Sequence, residues 1–485
     1  MTEHDDENVR HRHAGALTQA QRTSANGAHG IYLGQDAQGW RQAGAEQSVM
    51  ILGPPRSGKT SSFIIPNVLA ANGAVVTTST KPDVLDATRA ARQELGTVHL
   101  FDPTASVADR PGVHRVRWSP LQRCTSWRAA QSTARALVLA GASASGAGDH
   151  WHERAQALLA PLLHAAALEG ADMRTVLTWV DRHQALPAQQ ILATEPTGSD
   201  PVARHLLDGI TTTDERELSG IWSTTSGALG GFRSAEALEA TCQPDFDVDA
   251  FVSSSDALYI AAPAHHQALV APLVVGLLDD VRHATYQWSA STRSRSAAPV
   301  LLALDELANI APLPDLPSMI SEGGGQGLVT LACFQDLSQA RHRWPTQADG
   351  FPSLFGTTVV LPGIGDTRTL EALSIVAGEE ELRTRSTSVG LSFSDDPLAH
   401  LLGRRHAQSG EQLSSIWRRR VPPDLIAHGH PGHGLSFDHL NEATWIPLTP
   451  AHRHEPWRSL QTLGNARRLG RHAISRDATG NDLVR

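Results

Sequence analysis

The chain has 485 residues, 40% hydrophobic and 19% charged, with a formal net charge of −9. That balance suits a soluble protein of two or three domains and excludes a wholly disordered chain or a globally cationic nucleic-acid binder. Contact with a polyanion must come from a local basic surface.

Residues 1–30 are polar, carry no apolar stretch of signal-peptide or anchor type, and are expected to be disordered. A strand-like pattern from Ile31 leads to the apolar run Ser48–Leu52 and then to GPPRSGKTSS, residues 53–62. Gly53, four residues, then Gly58-Lys59-Thr60 is the phosphate-cradling loop pattern. An apolar strand before it and a helix opening at Thr60 supply the required context. The loop of Gly53, Pro54, Pro55, Arg56, Ser57, Gly58, Lys59, Thr60 and Ser61 is therefore expected to wrap the phosphates of ATP, aided by the helix N-terminus. Lys59 would bridge the β- and γ-phosphates, and the Thr60 hydroxyl would bind Mg²⁺. Of 41 lysines and arginines only Lys59 and Lys81 are lysines. A compact ammonium fits among phosphate oxygens where a planar guanidinium does not. Lys81 invites the same reading, against the alternative of one lysine surviving by accident.

Further strands are expected at Ala74–Thr78 and Thr97–Phe101, with a helix over Val84–Leu95 between them. This is the α/β alternation of a parallel sheet. After Trp118-Ser119-Pro120-Leu121 the character changes, and apolar residues recur at helical spacing. Sheet-like segments resume at Ala257–Ala262, Val300–Leu304, Leu328–Phe334 and Thr357–Leu361. The expected plan is a nucleotide-binding domain in two parts, 31–121 and 251–450, interrupted by an all-α domain over 122–250 and followed by a peripheral or disordered tail over 451–485. The most apolar long stretch, 257–281, is broken by two prolines and a His-His pair, so no membrane-spanning segment is expected. Cys124, Cys242 and Cys333 have no metal-like or redox spacing and read as buried hydrophobes of a reducing cytosol.

The partner of a phosphate loop is a hydrophobic strand ending in acid, supplied by Val300–Leu304 followed by Asp305-Glu306. Asp305 would hold Mg²⁺ through its water shell. Glu306 would polarise the attacking water, which points to hydrolysis rather than nucleotide sensing. Gln335, ending the strand Leu328–Phe334, is a candidate for contacting the γ-phosphate and coupling hydrolysis to movement, against the alternative of an ordinary loop glutamine. An arginine from a neighbouring subunit often completes such sites. Arg368 is the candidate, with Arg341, Arg343, Arg383 and Arg385 in competition. Thr225–Gly231 is glycine-rich but lacks the LSGGQ pattern of a transporter-type ATPase head. His428, His430 and His433 sit in a Gly/Pro turn and read as a loop rather than a metal site. The clusters Arg404-Arg405, Arg418-Arg419-Arg420 and Arg467-Arg468 read as solvated surface charge rather than phosphate contacts.

About 250 residues separate Lys59 from Asp305, which requires a domain inserted in the core. That layout and several local patterns resemble the type IV secretion coupling proteins, the TraG/TraD-like conjugative DNA-transfer ATPases. The matching pieces are the loop running into Ile64-Ile65-Pro66-Asn67; Lys81-Pro82-Asp83 with Thr88, Arg92, Gly96 and Phe101-Asp102-Pro103; Ser119-Pro120-Leu121 and His150-Trp151; Phe246-Asp247 and Leu258-Tyr259-Ile260; and Asp305-Glu306 with Gln335–Gln339. They span roughly residues 45–390. The resemblance implies a RecA-like P-loop ATPase with an inserted all-α domain, assembled as a homo-hexamer. It further implies recruitment of single-stranded DNA through a relaxase to a type IV secretion channel. Two features depart from the family: no transmembrane helices are evident, and Glu322–Gly327 stands where relatives often carry a basic residue. A cytoplasmic protein, peripheral at the inner face of the membrane through a partner, would reconcile the first. Two other readings stay open: a soluble double-strand DNA translocase or defence-associated ATPase, and a non-motor adaptor that uses ATP only to dock cargo.

Overall fold

The computed structural model describes residues 30–141, 148–194, 200–292, 298–393 and 405–462, with side chains left aside at 149 and over 384–414. The N-terminal region before Gly30, the tail after 462, and Arg404, Arg467 and Arg468 lie outside the described residues.

Strands β1 (Tyr32–Asp36) and β2 (Gly39–Gln42) form an antiparallel ribbon. Strand β3 (Val49–Leu52) enters the loop, and a π-helical turn, Thr60–Ile64, continues into α1 (Ile65–Ala70), where Pro66 has no N–H to give back to the preceding turn and the Ser61 carbonyl accepts from the Ala451 amide at 2.8 Å. Then come β4 (Val75–Ser79), α2 (Asp83–Arg92), β5 (Val98–Phe101) and β6 (Val113–Arg115). Eight helices follow without a strand among the described residues: α3 (Trp127–Gly141), α4 (Asp149–Leu168), α5 (Met173–Asp181), α6 (Leu186–Ala193), α7 (Pro201–Thr211), α8 (Glu215–Ala228), α9 (Ala235–Thr241) and α10 (Val248–Val252). Acidic or hydroxyl residues begin many of them. Asp172, Asp200, Asp214, Ser234 and Asp247 each accept from a backbone N–H of the first turn, satisfying a donor the helix itself cannot.

The chain returns to the sheet at β7 (Ala257–Ala261) and leaves it by the long α11 (Gln267–Ser291). It continues through β8 (Val300–Leu304), α12 (Leu307–Ile310), α13 (Leu316–Gly323), β9 (Leu328–Phe334), α14 (Leu337–Arg343), α15 (Phe351–Leu354), β10 (Thr357–Val360) and α16 (Thr367–Val376). The last elements are β11 (Glu379–Phe393), β12 (Arg405–Arg419), α17 (Pro423–His428), β13 (His433–Phe437) and β14 (Ala443–Pro447).

Ten strands form the main sheet in the order β14-β13-β10-β3-β9-β8-β4-β7-β5-β6. Eight are mutually parallel, and the β13–β14 hairpin adds antiparallel at one edge. Both faces are covered. Met50 and Leu52 point into one core, Val49 and Ile51 into the other, as a period of two requires. From β3 the chain crosses to β4, whereas β10 joins on the opposite side of β3. Open α/β sheets bind ligands outside the carboxyl ends of their strands at such a reversal. The strand bearing β9's tip stands between the loop strand β3 and the acid-tipped β8. This is the RecA-like P-loop arrangement.

Several of the residues that carry the family resemblance serve as staples. Arg92 is buried, and its guanidinium donates to the carbonyls of Ala71, Gly73 (3.1 Å) and Ser255 (2.7 Å), tying α2 to the entrances of β4 and β7. Burial lowers its pKa to about 10. A Cβ at Gly96 would stand 2.5 Å from Asp256 Oδ1 and 2.8 Å from the Ser255 carbonyl, so the turn into β5 admits only glycine.

Residues 451–462 correct the expected boundary of the tail. Ala451, Trp457 and Leu460 are fully buried, and Trp457 packs on Tyr32 and Trp40 with ring centroids 5.1 and 4.9 Å away. A few well-spaced apolar residues suffice to dock this segment under the β1–β2 ribbon. The strand-like pattern from Ile31 is met by β1, whereas the β11–β12 ribbon and the short β6 were not expected from sequence.

Trp118, at the entrance to the helical block, donates its indole N–H to Asp280 of α11 at 2.9 Å. Burial pushes the Asp280 carboxyl up to about 7, with the like charge of Asp279 adding to the effect and Trp118, Arg123 and His283 opposing it. A raised folded-state pKa means that the native protein takes up a proton on folding. The associated stability is present at low pH and is lost as pH rises toward 7. Asp280→Asn, which keeps an acceptor for Trp118, is expected to leave the melting temperature nearly unchanged at pH 4. At pH 8 it should raise stability by roughly 2 kcal/mol. Equal effects at both pH values would refute a protonation origin.

Candidate functional site

The site forms where β3, β8 and β9 end together. Strand β3 is wholly buried, and the loop that leaves it is anchored at once: the Gly53 amide donates to the Phe334 carbonyl of β9 at 3.1 Å. A Cβ on Gly53 would lie 2.7 Å from Ser57 Oγ and 2.9 Å from Leu361 Cβ. The loop then needs left-handed backbone twice, at Arg56 (φ 65°) and Gly58 (φ 97°). Glycine meets the second need without strain; Arg56 points outward and is exposed.

Lys59 is only 6% exposed, with its ammonium donating to the carbonyls of Gly53 (2.5 Å) and Pro54 (3.0 Å). It is therefore held inside the curl of the loop. The hydroxyls of Ser57 and Ser62 are buried without a hydrogen-bond partner. A buried cation bonded to neutral carbonyls, beside two orphaned hydroxyls, is a donor-rich pocket that fits an anion. Ser61 Oγ turns back to the Gly58 carbonyl at 3.3 Å.

Across the cleft, Thr60 Oγ1 donates to Asp305 Oδ2 at 2.6 Å, joining the loop to the tip of β8 over a sequence separation of 245 residues. Thr78 of β4 secures the other side by donating to the Asp305 carbonyl at 2.9 Å. Burial raises the pKa of Asp305, partly countered by the Thr60 bond. A buried carboxylate and a hydroxyl 2.6 Å apart, both oxygen donors, suit a hard divalent cation. Glu306 adopts a left-handed backbone (φ 52°, ψ 42°) rare for a residue with a side chain. Its carboxylate accepts from Asn309 Nδ2 at 3.4 Å. Such strain concentrates where chemistry is done.

Gln335, half-buried, lies at the end of β9 between these two tips, and its amide is held by Gln339 Oε1 at 3.0 Å. The structure thus brings Lys59, Thr60, Asp305, Glu306 and Gln335 to one edge of the sheet. Arg368 stands apart, 65% exposed at the start of α16 and paired with Asp349. Of its competitors, Arg341 is bound by Asp349 and Asp366, both at 2.8 Å. Arg383 is exposed beside Glu381, and the Arg385 side chain is outside the described residues. Sequence reasoning missed Thr78 and Asn309, whose roles depend on register and on a single tight turn.

The glycine run that departs from the family pattern has a steric cause. A Cβ at Gly324 would fall 2.0 Å from the Glu46 carbonyl, so no larger residue fits there without moving the backbone. In the HGHPGHG turn, His430 meets Trp445 edge-to-face and His428 bonds the Asp424 carbonyl of its own helix. No group of three candidate metal ligands occurs among the described residues.

A family model described as Type IV secretory system Conjugative DNA transfer matches residues 6–398. Two curated relatives from Escherichia coli, both called Conjugal transfer protein TraG, are 24% identical over 344 residues and 23% over 341. Each alignment covers 65% of this chain and 53% of the relative, so the chain spans about half the length of the curated relatives it matches. Among solved structures, the bacterial conjugative coupling protein TrwBdeltaN70 in an unbound form superposes with a TM-score of 0.64 at 17% identity, covering 90% of this chain and 92% of that one. The plasmid coupling protein TrwB in complex with ADP and Mg²⁺ gives 0.60 at 18%, covering 84% and 85%. These two likenesses establish the shared fold.

Proposed function

Since the chain belongs to the type IV secretory system conjugative DNA transfer family, we propose that it is an ATP-hydrolysing coupling protein that engages DNA and drives it toward a secretion channel. The observation that supports the hydrolytic half is the contact of Thr60 with Asp305 beside Glu306, which joins the loop to the acid pair across the tip of β9.

In this reading Lys59 leaves the Gly53 and Pro54 carbonyls for the oxygens of the β- and γ-phosphates, while loop amides and the helix N-terminus hold the rest of the polyphosphate. Thr60 and Asp305 would hold Mg²⁺, which would supply charge to offset that developing on the transferred phosphoryl group. Glu306 accepts a proton from the attacking water, and Gln335 orients it from the neighbouring tip. Arg368 is proposed to act on the site of an adjacent copy in a homo-hexamer. Its exposed pair with Asp349 costs little to break.

The helical block (122–250) is proposed as the cargo-facing domain of a nucleotide-binding core (31–121 and 251–450). Arg135 of α3 holds Asp315, nine residues beyond Glu306, with both carboxylate oxygens at 2.5 Å from Nη1. This gives the block a direct hold on the segment that follows the base. No helix among the described residues is long and apolar enough to cross a membrane. Attachment to the inner membrane is proposed to run through a type IV secretion partner, with relaxase-bound single-stranded DNA as cargo.

The test is steady-state ATP hydrolysis by the purified chain with and without single- and double-stranded DNA. Single-stranded DNA is expected to raise the rate about tenfold or more, which corresponds to roughly 1.4 kcal/mol of barrier. Stimulation by duplex alone would favour a double-strand translocase. A rate indifferent to both, with no DNA binding, would reject the motor reading in favour of a docking adaptor.

A further inference from the structure

Helix α14 links the two acid- and amide-bearing tips of the site. It starts just after Gln335 at the end of β9, and its far end reaches back to the segment that follows Glu306. Arg343 donates its Nε–H to the Ala308 carbonyl at 3.0 Å, and Trp344 donates its indole N–H to the Leu313 carbonyl at 2.9 Å. Ala308 and Leu313 are themselves buried; the Leu313 carbonyl also accepts from the Leu316 amide at 3.2 Å, whereas four residues beyond Ala308 stands Pro312, which has no N–H to give, so the Ala308 carbonyl depends on Arg343. Between the two anchor points the amides of Asn309 and Ile310 both donate to the Glu306 carbonyl, at 2.9 and 3.0 Å, and the Asn309 side chain holds the Glu306 carboxylate.

Trp344 is fixed by aromatic packing on Phe334 and Phe351, with ring centroids 6.2 and 5.5 Å away. Arg343 has no such support. It is half-buried, burial lowers its pKa, and no carboxylate among the described residues lies within ion-pair distance of it, unlike Arg341 and Arg368. A guanidinium that is partly desolvated without a counter-ion is costly. The helix dipole favours a cation at this end of α14, but an outward-pointing arginine would satisfy it equally. What the inward turn gains is the Ala308 carbonyl.

We propose that Arg343 is a positioning residue for Glu306. By holding the Ala308 carbonyl against the end of α14, it keeps the α12 turn closed. The left-handed backbone and carboxylate of Glu306 are thereby set relative to Gln335. Movement at the β9 tip is then passed to the α12 turn through Arg343, while Trp344 anchors the segment beyond it. The catalytic consequence rests on the hydrolytic reading given above; the structural link does not.

The experiment uses the full chain carrying Arg343→Met, which removes the donor at similar length, and Arg343→Lys, which keeps a donor. Hydrogen exchange of the peptide spanning 305–313, read by mass spectrometry without nucleotide, should be about tenfold faster at Asn309 and Ile310 in the methionine variant. Peptides from β3 and β9 should be unchanged, and lysine should restore most of the protection. In parallel, the methionine variant should lose about tenfold in kcat with KM for ATP within about twofold, and lysine should recover it. Unchanged exchange at Asn309 and Ile310, or a rise spread over the whole sheet, would overturn the proposal. If the wild-type chain hydrolyses no ATP, the reading of the site fails, and the exchange measurement still decides the link.

Discussion

Replacing Lys59 with alanine is expected to lower ATP hydrolysis by about 10²–10³-fold or more, the loss typical of removing one preorganised donor to developing charge. Lys59 is the buried cation at the mouth of the loop, bonded to Gly53 and Pro54 and without a carboxylate partner among the described residues. Alanine leaves two carbonyls short of a donor, a penalty of about 1 kcal/mol each at most in a loop that water can reach. The variant should therefore fold, with a melting temperature within a few degrees of wild type, and should bind a fluorescent ATP analogue far more weakly. Lys59→Arg sharpens the test. This chain uses arginine almost everywhere, yet a planar guanidinium does not fit among phosphate oxygens as a compact ammonium does. Arginine should fail nearly as badly as alanine. Full activity in Lys59→Ala would sink the assignment of the loop.

The loop and the acid pair were legible because each is a local pattern with a mechanical reason. Gly58 supplies φ 97°, Lys59 the charge, and five apolar residues carry Asp305 to the sheet edge. The helical block was legible through apolar periodicity and the gap between Lys59 and Asp305. What sequence could not supply was register. That Thr78 braces Asp305 follows from the pairing of Thr78 with Leu304, which only the assembled sheet defines. Family-like residues were equally opaque as to role: Arg92 and Gly96 look functional in a motif, yet one staples backbone carbonyls and the other makes room for Ser255 and Asp256. The segment around Trp457 was misjudged because a few buried side chains decide docking, and average polarity does not report them. The β11–β12 ribbon pairs fifteen residues on each strand. Its alternation is interrupted by charge, which hides the strand period.

Glu306 offers the cleanest separation of chemistry from folding. Glu306→Gln preserves size, the left-handed turn and an oxygen that can accept from Asn309, so nucleotide binding and stability should match wild type. It removes the proton acceptor, and hydrolysis should fall by about 10²–10⁴-fold, the span expected for loss of a general base. The variant would accumulate with ATP bound, measurable as retained nucleotide after rapid gel filtration. Glu306→Gly makes the complementary case. Glycine relieves a left-handed conformation that costs a side-chain-bearing residue about 1 kcal/mol or more, offset by the greater freedom of the unfolded chain. It should be as inactive as glutamine yet no less stable, and thermal melting decides that half. A residue strained for structural reasons would show the opposite pattern, with glycine active. Near-wild-type hydrolysis in Glu306→Gln would move the base elsewhere on the sheet edge.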